Sequence, residues 1–218
     1  MRKYIKKINA LPWVTYLLLG INVVVFLGWL YLKFKLQESD LLSSDQAETM
    51  AALLLGAESQ PLVWQEHEFF RLFTAMFVHF GVMHLLFNCV FLYSIGQVTE
   101  HVFGHLRYFI LYIVSGLAGD VLAMLMKGTT IVAGASGALF GLLGIWTILW
   151  LKYRKHPNFI LDDYGKEMFT LAVVNIILNF TTSGVSISGH LGGFIGGALV
   201  GILVLNFFKP KVIIEAEK

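Results

Sequence analysis

The chain has 218 residues, of which 57% are hydrophobic and 14% are charged, and its mean hydropathy is +0.72. These values lie outside the range of soluble domains and indicate a protein of the lipid bilayer. The formal net charge of +2 is too small to indicate a nucleic-acid partner, and the single cysteine, Cys89, excludes an internal disulfide framework.

Six apolar segments follow one another along the chain and predict an all-α membrane protein with six transmembrane helices. The fifth segment has only about 15 residues, which at 1.5 Å per residue cover roughly 22 Å of a hydrocarbon core about 30 Å thick. It therefore needs a thinner bilayer, extra helical turns or shielding by its neighbours. The predicted spans are residues 11–32, 77–98, 106–126, 131–151, 168–182 and 187–208.

The distribution of basic residues predicts the orientation of the six spans. With a cytoplasmic N-terminus, twelve of the sixteen lysines and arginines fall on the inner side, and four fall outside. Cytoplasmic segments of membrane proteins carry this excess of positive charge, whereas removing the fifth span would turn the C-terminal lysines outward. Both termini are therefore predicted to be cytoplasmic. The four outer cations are Lys33, Lys35, Arg71 and Lys127.

The remaining segments give a single membrane domain with short tails. Residues 1–10 form a basic cytoplasmic segment before a retained anchor, residues 11–208 form the domain, and residues 209–218 form a cytoplasmic tail. The external loop, residues 33–76, holds seven of the fourteen acidic residues. Within it, Ser43 and Gln46 precede a short apolar run and predict a helix start on the outer leaflet. An ordinary solvated loop is the alternative.

The alternating directions of the spans place several polar side chains at one depth. Ser136 lies near the outer, N-terminal end of the fourth span, and His190 lies about one turn inside the outer end of the sixth. His84 and Asn88 occupy the outer half of the second span, which also holds His79. Polar groups inside a membrane are costly and mark candidate functional sites. Three segments that are distant in sequence thus bring these groups to the same level.

Glycines provide a physical means of bringing the fourth and sixth spans together. They recur almost every fourth residue in both spans, and small residues at this spacing allow closer helix contact than the usual 8 to 10 Å. Such contact would let the Ser136 hydroxyl and the His190 imidazole approach to hydrogen-bond distance. The glycines are Gly134, Gly137, Gly141 and Gly144 in the fourth span, and Gly189, Gly193, Gly197 and Gly201 in the sixth.

This pair of residue types is suited to serine hydrolysis. An imidazole can take the proton of Ser136 and later give it to the leaving amine, a reaction that needs neither metal nor cofactor. The Ser136 amide, His84 and Asn88 are candidate donors to the oxyanion. Asp120, the only aspartate within a span, lies at a similar depth and has either a structural or a functional role.

Other hydrolytic signatures do not fit the sequence. Ala138 occupies the last position of a Gly-x-Ser-x-Gly element, and no His-Glu-x-x-His element is present. Paired-aspartate proteolysis within the membrane needs two membrane aspartates, and Asp120 is the only aspartate within a predicted span. The candidate site residues also have a simpler structural explanation. Serines that lie between glycines commonly serve helix packing, and so do side-chain amides inside the membrane.

In the order of its motifs, the chain resembles the rhomboid family of intramembrane serine proteases. The resemblance covers residues 70–201, and the six-span plan covers the whole chain. Phe70 stands where the family often has a tryptophan, and Phe140 where a tyrosine is frequent. The matching elements are residues 70–74 with Arg71, then His79, His84 and Asn88, then Gly96 and Glu100, then residues 134–137, and finally residues 189–193 with Gly197.

The resemblance implies a Ser136/His190 dyad, with the oxyanion held by the Ser136 amide, His84 and Asn88. It implies a six-helix rhomboid-like bundle, a cavity open to the extracytoplasmic side of the cell membrane, and cleavage of single-span membrane proteins near that face. Supporting roles are implied for Gly134, Gly137, Phe140, Gly193, Gly197, His79, Arg71 and Glu100. The alternative is a catalytically silent relative that binds or escorts membrane helices. The sequence does not indicate an oligomeric state.

Overall fold

The computed structural model describes residues 11–38, 42–126, 131–156, 159–179, 186–208 and 210. Nine α-helices occupy these ranges, with one 3-10 helix, Ala75–Phe77, and an isolated bridge between Glu58 and Val132. The predicted all-α class is therefore confirmed. The helices are α1 (Trp13–Gln37), α2 (Ser44–Leu54), α3 (Gln60–Trp64), α4 (Arg71–Thr74), α5 (Val82–Phe103), α6 (His105–Leu125), α7 (Ser136–Tyr153), α8 (Asp162–Asn179) and α9 (Ile187–Phe207).

Five of these helices, α1, α5, α6, α7 and α9, are long and apolar enough to cross a bilayer. Two predicted starts were wrong, because α5 begins at Val82 instead of residue 77 and α7 begins at Ser136 instead of residue 131. In both places a glycine with positive φ precedes the helix, Gly81 at 84° and Gly134 at 125°. This conformation suits glycine and interrupts a right-handed helix.

The predicted fifth span corresponds to α8, which begins six residues earlier than expected. Its first turns carry Asp162, Asp163, Lys166 and Glu167, so only the part from Met168 onward is free of charged residues. Aromatic contacts hold it against α7, with Trp146 edge-on to Tyr164 at 4.6 Å and Trp150 stacked on Phe169 at 5.1 Å between ring centroids. Residues 180–182 of the predicted span lie outside the described residues. The six-span count stays a prediction.

Glycines form a close seam between α7 and α9, as the sequence predicted. A Cβ atom on Gly197 would overlap the carbonyl oxygen of Gly141, and one on Gly193 would overlap that of Gly137. Helix α6 joins the same seam, because a Cβ atom on Gly119 would lie only 2.7 Å from the Gly189 carbonyl oxygen. Three helices therefore approach at distances that only glycine permits.

The external loop contains the predicted short helix. Ser43 and Gln46 form a reciprocal capping box at the start of α2, with the Gln46 amide 3.3 Å from the Ser43 hydroxyl oxygen. The helix lies against α1, where the Trp29 indole donates to the Glu48 carbonyl oxygen at 3.1 Å. Its position relative to a bilayer stays a prediction.

Basic residues predicted to be cytoplasmic gather at the opposite end of the bundle from Ser136. Lys152, in the last turn of α7, donates to the Leu205 carbonyl oxygen at 2.7 Å and so neutralises the C-terminal end of α9. Arg107 lies 4.1 Å from the centre of the Phe208 ring at the same end. The bundle thus has one cationic end, and Ser136 lies near the other.

Glu100 caps a helix to which it does not belong. Helix α1 starts after Pro12 without a side-chain cap of its own, and the buried Glu100 carboxylate of α5 accepts from the backbone amides of Val14 and Thr15 at 3.0 and 2.8 Å. It also accepts from the Thr15 hydroxyl at 2.7 Å. A negative charge at the first turn matches the helix dipole. Gly96, one turn earlier, allows this approach, because a Cβ atom there would lie 3.0 Å from Thr15.

Replacing Glu100 by Ala is expected to lower the free energy of unfolding by about 2 to 4 kcal/mol, because it leaves two buried amides without an acceptor. Denaturant titration in detergent micelles measures this loss. The control is Glu38→Ala, which removes an exposed partner of Lys35 and should leave the free energy of unfolding close to that of the wild type. Equal losses for the two variants would contradict the capping role.

Candidate active site

Ser136 and His190 are brought together, as the sequence predicted. The Ser136 hydroxyl oxygen at the start of α7 lies 2.7 Å from the His190 Nε2 atom on α9. The neighbouring glycine seam holds these two helix ends at this separation, and His190 is only 9% exposed. A neutral imidazole with its proton on Nδ1 presents Nε2 as the acceptor for the serine proton.

The rest of the His190 ring is held by packing and by the start of α9. The Phe140 ring stacks on the imidazole with centroids 4.2 Å apart and planes inclined by 14°, so phenylalanine makes the contact expected at this position. Ser186 caps α9 by accepting from the Gly189 amide at 3.1 Å. Among the described residues, the His190 Nδ1 atom has no hydrogen-bond partner. Ser136 and His190 thus form a hydrogen-bonded pair, and no third side chain bonds Nδ1 among the described residues.

His79 lies behind the site and holds the loop before Ser136 in place. The fully buried His79 ring donates from Nδ1 to the Phe77 carbonyl oxygen at 3.1 Å and receives the Ala135 amide at Nε2 at 3.5 Å. Burial lowers the pKa of His79 to about 4, so the ring is neutral and can play both roles near neutral pH. Gly134 completes the turn by donating to the Ala75 carbonyl oxygen.

His84 and Asn88 lie beside the serine on α5. A Cβ atom on Gly134 would lie 2.8 Å from the His84 Nε2 atom and 3.8 Å from the Ser136 hydroxyl oxygen, so glycine leaves the space between them open. The His84 Nδ1 atom accepts from the Phe80 amide at 3.4 Å, which leaves the proton on Nε2. Asn88 donates to the His84 carbonyl oxygen at 2.9 Å. Both side chains face the same space as Ser136.

That space is a cavity of about 470 Å³ between α5, α7, α8 and α9. Its lining joins Ser136, His190, His84 and Asn88, the four residues that the sequence placed at one depth. Asp120 of α6 also lines the cavity, so this residue approaches the site as predicted. Within the described part of the chain, it makes no hydrogen bond to His190. Lining residues that the sequence analysis missed include Phe87, Phe91, Asn175 and Ser186.

Two of the predicted supporting residues act away from the cavity. The Arg71 guanidinium donates to the carbonyl oxygens of Leu53 and Ala57 at 2.7 and 2.9 Å, which fastens the external loop. It also lies 5.4 Å from the centre of the Phe70 ring, so phenylalanine still contacts the cation. Glu100 is about three helical turns from Asn88, at the cap of α1.

Comparisons with known proteins place the chain in a family. A family model described as Rhomboid domain matches residues 66–207, which is more than half of the chain. Rhomboid protease GluP of Bacillus subtilis (strain 168) is 32% identical over 189 residues, covering 87% of this chain and 34% of that protein. RHOMBOID-like protein 1 of Arabidopsis thaliana is 37% identical over 159 residues, covering 69% and 38%.

Putative rhomboid protease YdcA of Bacillus subtilis (strain 168) is 31% identical over 140 residues, covering 64% of this chain and 69% of that protein. The chain spans about a third of the length of GluP and somewhat more of the Arabidopsis protein. The matched region contains α5 to α9 and with them Ser136 and His190. The chain therefore belongs to the rhomboid family.

Proposed function

We propose that the chain is an intramembrane serine endopeptidase that cleaves transmembrane segments of membrane proteins. The observation that carries this proposal is the 2.7 Å contact between the Ser136 hydroxyl oxygen and the His190 Nε2 atom inside a cavity bounded by apolar helices. Membership of a family with relatives named as proteases supports it.

The first half of the reaction forms an acyl-enzyme. His190 takes the proton of Ser136 as its oxygen attacks the carbonyl carbon of the scissile peptide, which gives a tetrahedral oxyanion. The Ser136 amide, the His84 Nε2–H group and the Asn88 side-chain amide are the donors proposed to stabilise that negative charge. When the intermediate collapses, His190 gives its proton to the departing amine.

The second half of the reaction restores the serine. A water molecule gives a proton to His190 and attacks the acyl carbon, and the second tetrahedral intermediate releases the new carboxyl group as Ser136 recovers its proton. This step needs water below the membrane surface. A cavity of about 470 Å³ with polar groups on its wall has room for several water molecules beside the substrate.

The proposed topology places this cavity on the extracytoplasmic side of the cell membrane. It has six spans, with α8 as the fifth, and both termini in the cytoplasm. The cationic end formed around Lys152 and Arg107 supports this orientation, because it lies opposite the Ser136 end. Membrane proteins with a single span are the proposed substrates, cut near their outer end.

The proposal is tested by reconstituting the full chain in liposomes with a set of single-span substrates and determining the product masses. We expect the wild-type protein to cut at least one substrate at a defined bond and Ser136→Ala to produce no product. The matched control is Ser94→Ala, which removes an exposed hydroxyl from α5. Substrate capture without products by the wild-type protein would favour the silent, helix-binding alternative.

Replacing Asn88 by Ala is expected to lower kcat by about 10² to 10³-fold with little change in KM, since the proposed donor bonds mainly in the transition state. The steady-state kinetics of a cleaved substrate measure both constants. The control is Gln97→Ala, which removes another side-chain amide of α5 that bonds the carbonyl one turn earlier. A rise in KM that accounts for the whole loss would instead assign Asn88 to packing or to substrate binding.

A further inference from the structure

A groove lies between α6 and α9 at the cationic end of the bundle. It has a volume of about 320 Å³, and among the residues that the structure describes Arg107 is its only charged lining residue. Its apolar wall includes Ile110 of α6, Leu203 and Phe207 of α9, and Phe208 directly after α9. Phe207 is 90% exposed and Leu203 is 58% exposed, so the groove lies on the outer surface of the bundle.

The groove runs from the helix ends toward the middle of the membrane spans. Arg107 lies in the first turn of α6, and Phe208 follows the last residue of α9. Ile110 and Leu203 lie about one helical turn further in. Both helices are long and apolar enough to cross a bilayer. The mouth of the groove is therefore expected at the level of the lipid head groups, and its apolar wall at the level of the hydrocarbon chains.

The described residues do not neutralise the charge of Arg107. Its guanidinium carbon lies 4.1 Å from the centre of the Phe208 ring, and this contact holds the group at the mouth of the groove. The ion pairs of the described residues involve other cations, and Arg107 makes no hydrogen bond to any described residue. Its N–H donors are therefore free, and their planar arrangement matches the paired oxygens of a phosphate.

The surrounding sequence favours an anionic partner at this mouth. No acidic residue occurs from residue 101 to residue 119 or from residue 168 to residue 214. Glu100, just before the first of these ranges, is buried and already accepts from the amides of Val14 and Thr15. Lys209 and Lys211, close after Phe208 in the sequence, add positive charge. The local charge thus complements an anion.

We propose that the groove binds an anionic phospholipid of the adjacent leaflet, with its phosphate on Arg107 and one acyl chain along Ile110, Leu203 and Phe207. Basic pockets between transmembrane helices recognise acidic head groups in this way. A zwitterionic lipid has the same phosphate, but its ammonium group offsets the negative charge. In the proposed topology the leaflet is the cytoplasmic one. Because the groove lies at the opposite end of the bundle from Ser136, the inference does not depend on the proposed function.

The test measures lipid binding to the full chain in detergent micelles by native mass spectrometry. Phosphatidylglycerol and phosphatidylcholine with the same acyl chains are titrated separately, and the Kd of the first bound lipid is determined for each. We expect the wild-type protein to bind phosphatidylglycerol about 10-fold more tightly, as for a hydrogen bond to a charged group. Arg107→Gln should reduce that preference to within about twofold of unity, since it removes the charge that distinguishes the two lipids.

Arg154→Gln is the matched control for the loss of charge. Arg154 follows α7 at the same end of the bundle and also lies over an aromatic ring, 5.0 Å from the centre of Trp150, but it does not line the groove. The variant should therefore keep the wild-type preference. An equal loss in both variants would indicate general attraction to the cationic end and would overturn the site. An unchanged preference in Arg107→Gln would also overturn it.

Leu203→Trp tests the apolar wall without changing the charge. The larger side chain would fill an exposed groove, so the Kd for phosphatidylglycerol should rise about 5-fold or more while the thermal transition stays close to that of the wild type. Soluble glycerol phosphate tests the head group alone and should bind much more weakly than the lipid. Wild-type affinity for phosphatidylglycerol in Leu203→Trp, or equal binding of glycerol phosphate and the lipid, would overturn the lipid as the occupant.

Discussion

Replacing His190 by Asn is expected to lower kcat by at least about 10⁴-fold. Asparagine can still hydrogen-bond the Ser136 hydroxyl, but it cannot take the proton at neutral pH or return it to the leaving amine. The 2.7 Å contact in the structure makes His190 the base proposed for Ser136, and no second histidine contacts the hydroxyl among the hydrogen bonds of the described residues. Initial rates on a cleaved single-span substrate measure the loss.

Two measurements keep this prediction specific. His67→Asn is the matched control, because His67 is exposed and its φ of 59° is one that asparagine tolerates, so its rate should match the wild type. The thermal transition of His190→Asn should stay close to that of the wild type, which separates lost chemistry from lost folding. A folded His190→Asn variant with a rate within tenfold of the wild type would contradict the role of His190 as base.

Replacing Gly197 by Ala is expected to remove most activity and to lower the free energy of unfolding by about 1 to 3 kcal/mol. The new methyl group would occupy the position of the Gly141 carbonyl oxygen, which belongs to helix backbone and cannot move aside without moving α7. Because α7 carries Ser136 and α9 carries His190, separating the two helices lengthens the contact on which the proposed reaction depends.

The same substitution in an open position isolates this effect. A Cβ atom on Gly20 of α1 would meet no atom of the described residues within 4 Å, so Gly20→Ala should keep wild-type activity and gain about 0.5 to 1 kcal/mol from the better helix former. Unfolding titrations and initial rates on both variants provide the comparison. Full activity and unchanged stability in Gly197→Ala would show that the seam does not set the Ser136 to His190 distance.

Much of the site could be predicted because membrane depth can be read from the sequence. Alternating span directions placed Ser136, His190, His84 and Asn88 at one level, and the structure places all four in one cavity. The glycine spacing also predicted the close contact of α7 with α9. The first inference uses position along a helix axis, which hydropathy fixes, and the second uses a four-residue repeat, which places the glycines on one face of each helix.

Features that depend on turn conformation, or on contacts between residues distant in sequence, were beyond the sequence pattern. The positive φ angles of Gly81 and Gly134 shift the starts of α5 and α7 to later residues. Each glycine nevertheless lies in a largely apolar segment, for which hydropathy predicts a continuous helix. The bond from Glu100 to the start of α1 joins residues 86 positions apart.

The most direct test of the account is to locate the reactive hydroxyl chemically. The full chain is treated with a serine-directed fluorophosphonate, and the modified residue is identified by peptide mass while cleavage of a single-span substrate is followed in parallel. We predict one adduct, on Ser136, whose formation abolishes cleavage and which is absent from His190→Asn. Cleavage that continues after Ser136 is fully modified, or an inactivating adduct on a different serine, would contradict the proposed dyad.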